Sequence, residues 1–323
     1  MKIELLIDDK KGNIFDISDL VREVTWKTKR KDSPSSLDIS LLEDTSISIS
    51  NGDIVRFRVD KVNIFYGYIF KNAGDEGPEI KLNAYDQIKY LMYNDTYAFA
   101  NIKASDIVSK VADKLGLRKG SIEDTEYVIP IIQESDKKLL DIIYKALEKT
   151  LIANTKTFVL YDEFGSLNLK DINNMRQEII ISDDTNLGKY DWSKSIEESY
   201  NRIKFVKKNE KTGQKDVYIA QDSSSIYKWG KLQFFKSIDD KLNKAEIEQM
   251  LDGNLKLKNK ESKTLKLKNV LGTDTELEAK LRGGAGVFVD IKRHGINQCY
   301  LIEEATHKFS KDGHTMDFNL KVV

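Results

Sequence analysis

"GDIVRFRV" at residues 52–59 followed by "YGYIF" at 66–70, and "GAGVFVDI" at 284–291 followed by "CYLIEEATH" at 299–307, decide how this chain folds. In the first pair Val55, Phe57 and Val59 alternate with Arg56 and Arg58, the period-two pattern of a half-buried antiparallel strand. Tyr68 stands 13 positions after Val55, and Tyr300 stands 13 positions after Val287. Each pair leads into a further alternating strand, carried by Leu82 in the first and by Met316 and Phe318 in the second. Any two antiparallel barrels would share such spacing; a true repeat would mean two copies of one barrel.

The flanking sequence extends both regions. "VTWKT" sets Val24, Trp26 and Thr28 on one face, and "LDISL" sets Leu37, Ile39 and Leu41. Pro34, Asn51-Gly52, Gly74 and Gly77-Pro78 supply turn chemistry between them. Near residue 100 the period becomes helical. In "ASDIVSKVADKLGL" Ser105 is the expected N-cap, Ile107, Val108, Val111, Ala112 and Leu115 form the stripe, and Gly116 ends the helix. A second helix is expected from Ser135, with Leu139, Leu140, Ile143, Ala146 and Leu147 on its stripe, and then a hairpin turning at Glu163–Gly165. Strands return from about residue 186, including "SYNRIKFVKKN" with Ile203 and Phe205 inward. A helical stretch with Leu242, Ala245, Met250 and Leu251 on its stripe reads as an insertion packing on the middle unit.

The predicted class is α+β and β-rich: two related antiparallel β-barrel domains plus a small α/β domain. The expected divisions are a first barrel at 1–93, an α/β domain at 94–185 joined by the helical insertion 237–262, and a second barrel from 186–236 and 263–323.

Composition removes several classes of function. The chain has 323 residues, with 52 Lys plus Arg against 52 Asp plus Glu, so no net charge steers the whole molecule to nucleic acid or an anionic membrane. The one cysteine, Cys299, excludes an internal disulfide framework and is expected to be buried and inert in an apolar strand. No window approaches the apolar length of a membrane span and the first residues do not read as a signal peptide, so synthesis and folding in the cytoplasm are expected.

Catalytic patterns are absent or fail on geometry. Glu303 and Glu304, like Asp183-Asp184 and Glu197-Glu198, are strand neighbours expected to point to opposite faces at solvated edges, so they cannot share a proton. "RGGAGVFVD" lacks the Lys-Ser/Thr of a phosphate loop and reads as a glycine hairpin. Of the basic stretches at 26–31 and 255–269, the second alternates Lys with Leu, the mark of a wet face, and no specific nucleic-acid binding is expected. Trp26, Trp192 and Trp229 could form a carbohydrate platform if exposed, though core or interface packing is the simpler reading. Two of the three histidines lie in "HKFSKDGHTMDFNLKVV". A two-residue turn at Asp312-Gly313 would set His307 opposite Phe318 and hold His307 and His314 about 13 Å apart, too far to share a metal; a four-residue loop would bring them to a diagonal contact of about 7–8 Å, still poor for chelation, with charge pairs that match less well. No catalytic, cofactor-binding or metal-ligating residue is therefore expected.

"SIEESYNRIKFV", "SIYKWGKLQFF", "GDIVRFRV…FYGYIF" and "YLIEEATHKFSKDGHTMDFNL" together resemble the hub protein of contractile phage tails. The similarity runs through most of the chain and is nearest to the XkdQ/YqbQ-like prophage tail proteins and to hubs of R-type, phage-tail-like bacteriocins. A more distant likeness extends to the late control protein D family and the T-even hub. The resemblance implies two barrels per chain, a homotrimer forming a pseudo-sixfold ring around a channel, and the α/β unit outside. Implied partners are the hexameric tail tube protein, a trimeric central spike or tip expected as a separate chain, baseplate wedge proteins and the tape-measure protein. It implies assembly into a baseplate and carries no catalytic residue; the competing readings are a tail-tip peptidoglycan hydrolase and a cell-wall-binding module.

Overall fold

Seven strands form the first series in the computed structural model, which describes residues 1–208, 214–238 and 242–322. Positions 209–213 and 323 of the expected second barrel and 239–241 of the expected helical insertion lie outside the described residues. The strands are β1 (Ile3–Asp8), β2 (Ile14–Asp16), β3 (Val21–Lys29), β4 (Ser36–Leu42), β5 (Ile54–Val59), β6 (Val62–Gly74) and β7 (Glu79–Tyr85). Their inward faces are the predicted ones: Val24, Trp26 and Thr28; Leu37, Ile39 and Leu41; Val55, Phe57 and Val59 are all buried. In space they run β3-β4-β7-β6-β5, with β1 antiparallel on β5 and β2 on β1.

The middle of the chain forms β8 (Asn94–Lys103), α1 (Ala104–Lys114), β9 (Lys119–Ile122), β10 (Val128–Lys138), α2 (Leu139–Asn154), β11 (Phe158–Asp162) and β12 (Leu167–Asp171). Ile107, Val108, Val111, Leu139, Leu140, Ile143 and Ala146 bring both helices into one core with β8, β10, β11 and β12. Two boundaries differ from expectation. Lys103 occupies the capping position of α1, and Ser105 is buried one residue inside it, its N–H donating to Thr125 Oγ1 at 3.1 Å. α2 starts at Leu139 because β10 continues through Lys138, which faces Asn94 of β8 beyond a bulge. A partner strand outside the local window overrode the helical pattern.

The remainder gives β13 (Arg176–Ser182), β14 (Lys189–Ser195), β15 (Arg202–Lys208), β16 (Lys215–Gln221), α3 (Ser223–Trp229), β17 (Gln233–Ile238), α4 (Lys244–Lys258), β18 (Ser262–Leu271), α5 (Thr275–Glu278), β19 (Gly286–Ile291), β20 (Ile296–Ser310) and β21 (Gly313–Lys321). Here the order is β14-β18-β21-β20-β19, with β13 parallel to β19. Both series thus follow the same rule: first, second, fifth, fourth and third strand in chain order. Each also breaks register at the same point, between Ile69 and Lys71 of β6 and between Ile302 and Glu304 of β20. The two 13-residue spacings do form hairpins, β5–β6 and β19–β20, although Val55 faces Gly67, one short of Tyr68, whereas Val287 faces Tyr300.

β3 pairs with β20 and so fuses both series into one 13-stranded sheet; among the described residues no ladder joins its two ends. Its two parts keep separate apolar clusters, one around Leu5, Val55 and Phe57 and one around Leu265, Val287 and Phe318. β15, β16 and β17, placed by sequence in the second barrel, instead pair only among themselves. The reason is α4: Ile247 and Leu251 cover Ile203 and Phe205, so the small sheet has its own core. The helix also lies against α2, closely enough that a Cβ on Gly253 would sit 2.3 Å from the Ile152 carbonyl. No helix among the described residues is long and apolar enough to cross a membrane.

This whole excursion leaves and re-enters the large sheet at Ser195 and Ser262, which face each other across β14 and β18. Facing residues of an antiparallel pair are only about 5 Å apart. Replacing residues 196–261 by a two-residue Asn-Gly turn should therefore leave a soluble protein with strand-type circular dichroism and one cooperative urea transition. Loss of that transition would show that the large sheet depends on the excursion.

Candidate functional site: the buried joint between the two strand series

Seven consecutive facing pairs, from Glu304–Lys29 to Ser310–Glu23, join β20 to β3. At their centre His307 faces Trp26, with ring centroids 4.9 Å apart. His307 has no exposed surface and Trp26 only 2%.

The terminal hairpin turns one residue earlier than its Asp-Gly dipeptide predicts. Ser310 faces Gly313, so the turn residues are Lys311 and Asp312, and His307 faces Met316 instead of Phe318. A two-residue slip along the partner strand keeps every side chain on its face, so apolar alternation could not detect it. The slip corrects the histidine separation: His307 Nδ1 and His314 Nε2 are 3.1 Å apart. His314 also stacks on Phe309 at 4.3 Å.

Donor and acceptor arithmetic orders the protons. His307 Nε2 lies 2.8 Å from the Leu281 carbonyl, which can only accept, so Nε2 carries hydrogen. Burial, followed by the neighbouring His314, pushes His307 down to about 3, so its ring is neutral and Nδ1 accepts from His314. His314 Nδ1 then shares a proton with Glu278 Oε2 at 3.0 Å. Glu278 Oε1 also accepts the backbone N–H groups of Thr273 and Asp274. All four ring nitrogens thereby have hydrogen-bond partners within the protein.

A second polar cluster adjoins the first through the next residue in the chain. Arg282 is buried between aromatic rings, its guanidinium carbon 4.5 Å from the Tyr161 centroid and 5.7 Å from that of Trp26. Burial pushes its neighbour Asp86 up to about 6. Burial, then the charge of Asp86, pushes Asp162 up to about 7. Asp86 caps the turn at 87–92 by accepting from Ile88 N and also accepts from Ser35 N. Asp162 accepts from Gly165 N at 2.7 Å and from Gln87 Nε2 at 2.7 Å. Ser35 precedes β4, Asp162 ends β11 and Arg282 precedes β19, so this cluster ties the first series, the middle unit and the second series together.

Glycines make the approach possible. A Cβ on Gly283 would lie 2.4 Å from Arg30 N, and one on Gly284, at φ +96°, would meet Val159 at 2.7 Å. The stretch expected to be a glycine hairpin is thus a close crossing of two backbones packed against the Val159 side chain, with Gly283 N donating to Thr28 Oγ1. The three glycines in "RGGAG" were the available signal for this joint, and they were legible only as a turn.

Other expectations are corrected. Cys299 is exposed, because on β20 it shares the outward side opposite buried Tyr300. Glu303 and Glu304 flank an interior strand rather than an edge, and ion pairs hold them to Arg30 at 2.9 Å and Lys29 at 2.8 Å. The three tryptophans form no common platform: Trp26 is core, Trp192 is 46% exposed on β14, and Trp229 is half-buried in α3.

His307→Phe keeps the ring volume but strands the Leu281 carbonyl and the His314 N–H. Each lost buried partner costs about 1–3 kcal/mol, so a loss of about 2–6 kcal/mol is expected in urea unfolding at neutral pH. The carboxyls predict a pH effect. Because Asp162 is raised in the folded state, its contribution is full below its unfolded value near 3.8 and is lost as pH rises through about 7. Relative to the wild type, Asp162→Asn should therefore gain stability between pH 4 and 8, with a slope up to about 1.4 kcal/mol per pH unit. The lost Gln87 bond displaces the two curves by a constant without changing that slope; parallel curves would disprove the assignment.

The chain is similar to known proteins along nearly its whole length. The chain is 28% identical to the phage-like element PBSX protein XkdQ of Bacillus subtilis over 309 residues, 94% of this chain and 93% of that protein. The prophage MuSo2 43 kDa tail protein of Shewanella oneidensis superposes with a TM-score of 0.71 at 14% identity, covering 99% of this chain and 98% of that one. The E. coli c3393 protein, a type VI secretion component described as structurally similar to the T4 tail proteins gp27 and gp5, superposes at 0.59 and 11% identity over 98% of this chain and 76% of its own. The YQBQ-like family signature matches residues 24–321, and the chain belongs to that family.

Proposed function

We propose that this protein is the structural baseplate hub of a contractile tail or phage-tail-like particle, made in the bacterial cytoplasm and built into the baseplate. In this reading each strand series curls into a barrel, and three chains form a ring of six around a channel. The observation that carries it is the repeated strand order in a member of the YQBQ-like family. The working division of the ring subunit keeps the expected first barrel at 1–93, builds the second barrel from β13, β14 and β18–β21, and sets β15–β17 with α4 apart from it.

The symmetry gives such a ring its use. Six similar barrels match a hexameric tail tube, while three identical chains match a trimeric central spike. Its work is nucleating tube assembly and holding the spike, with wedge and tape-measure proteins as further contacts; no catalytic step is needed. Interfaces of this permanent kind bury upwards of about 2,000 Å².

Mass photometry of the full-length protein, alone and with separately produced spike and tube proteins, should show a homotrimer and its complexes. A strictly monomeric protein that joins neither partner would overturn the proposal.

A further inference from the structure

We propose that β14 of one copy pairs antiparallel with the open edge of β6 in the next, so that the joint made inside the chain by β3 and β20 recurs between chains. This rests on the trimeric-ring reading above and names its contact. β20 is the model for β6. Along one edge β20 pairs first with β19, through Ile296–Leu301, and then with β3, through Glu304–Ser310. β6 pairs along the corresponding edge with β5 through Val62–Tyr68, and among the described residues no strand follows there beside residues 70–74. β14 is likewise the counterpart of β3, yet β3 lies between β4 and β20 whereas β14 pairs with β18 alone.

The bulges fix the correspondence residue by residue. Phe70 and Glu303 are the unpaired residues of the two bulges, so Lys71 matches Glu304 and Gly74 matches His307. Trp26 faces Leu37, which faces Ala84, which faces Ile69. Trp192 faces Leu265, which faces Leu320, which faces Ile302. Trp192 is therefore the counterpart of Trp26. Both series carry tryptophan at this point, but the one covered by β20 is 2% exposed and the other 46%.

Transferring the β20–β3 register predicts Lys71 opposite Ser195, Asn72 opposite Lys194, Ala73 opposite Ser193 and Gly74 opposite Trp192. Glycine opposite tryptophan leaves room for the indole. Phe70, 38% exposed and 6.0 Å from the ring of 40% exposed Tyr90, adds apolar surface beside the same edge. Open strand edges flanked by aromatics are places where a partner is expected. β14 and β6 stand at opposite ends of an eight-strand run, β14-β18-β21-β20-β3-β4-β7-β6, so each copy offers one edge of each kind. Such head-to-tail contacts close into a ring when the rotation between copies allows it.

The test is an engineered disulfide in the full-length chain, with Cys299→Ser to remove the native thiol. Facing antiparallel residues have Cα atoms about 4.5–5.5 Å apart, within disulfide reach. Ala73→Cys combined with Ser193→Cys should, on oxidation, give covalent dimers and trimers on a denaturing gel. Ala73→Cys with Lys189→Cys, about 13 Å out of register, should remain uncoupled. In the native sequence, the single change Trp192→Asp should shift the trimer to monomer without moving the helix and strand content. A native trimer that fails to couple at 73 and 193, or couples equally at 73 and 189, overturns the strand pairing and leaves the trimeric hub standing. A monomer with or without spike overturns both.

Discussion

One strand serves two sheets' worth of structure, and the rest of the molecule is arranged around that fact. β20 closes the second series through β19 and β21, then crosses a bulge and receives β3 of the first series. The bulge at Glu303 is what allows the change of partner, since it adds local twist and turns the strand toward β3. Arg30 holds the bulge from the other side, with its N–H on the Glu303 carbonyl and its Nε on the carboxylate, both at 2.9 Å. Exposed ion pairs contribute little. This one is half-buried and backed by a backbone bond, so its main effect is on geometry.

Apolar burial alone would not specify this joint. Sliding β21 by two residues against β20 would preserve the alternation of Phe309, Met316, Phe318 and Leu320, and both the hydrophobic count and the core face would survive. The chain Glu278–His314–His307–Leu281 would not. In the slipped register buried donors and acceptors lose partners at about 1–3 kcal/mol each, enough to reject the alternative. The Arg282 cluster acts similarly between units, since two buried carboxyls and one guanidinium are tolerable only when the first series, the middle unit and the second series are all in place.

Particular residues show where sequence reading reached and where it stopped. The inward faces of β3, β4 and β5, the stripes of α1 and α2 and the turn after Asp162 were legible, because each depends on periodicity or on turn chemistry within a few residues. Cys299, the histidine pair, Arg282 and the glycines at 283 and 284 were not, because their surroundings come from elements up to about 250 residues away, as with Gly283 and Thr28. Trp192 is the middle case: its outward exposure had no local signature, yet its match to Trp26 emerges once strand order is known.

The two series share a strand order but not what they carry. Between β3 and β4 the chain makes a short turn, whereas between β14 and β18 it inserts β15, β16, β17 and α4 and sends α4 back onto the middle unit. Equivalent positions in the sheet are thus chemically different on alternate faces. In the proposed ring of three chains there would be six similar strand series but only three copies of the inserted unit. Duplicating the strand order while inserting into only one copy would therefore suffice, in the proposed ring, to combine sixfold-like with threefold contacts in one polypeptide.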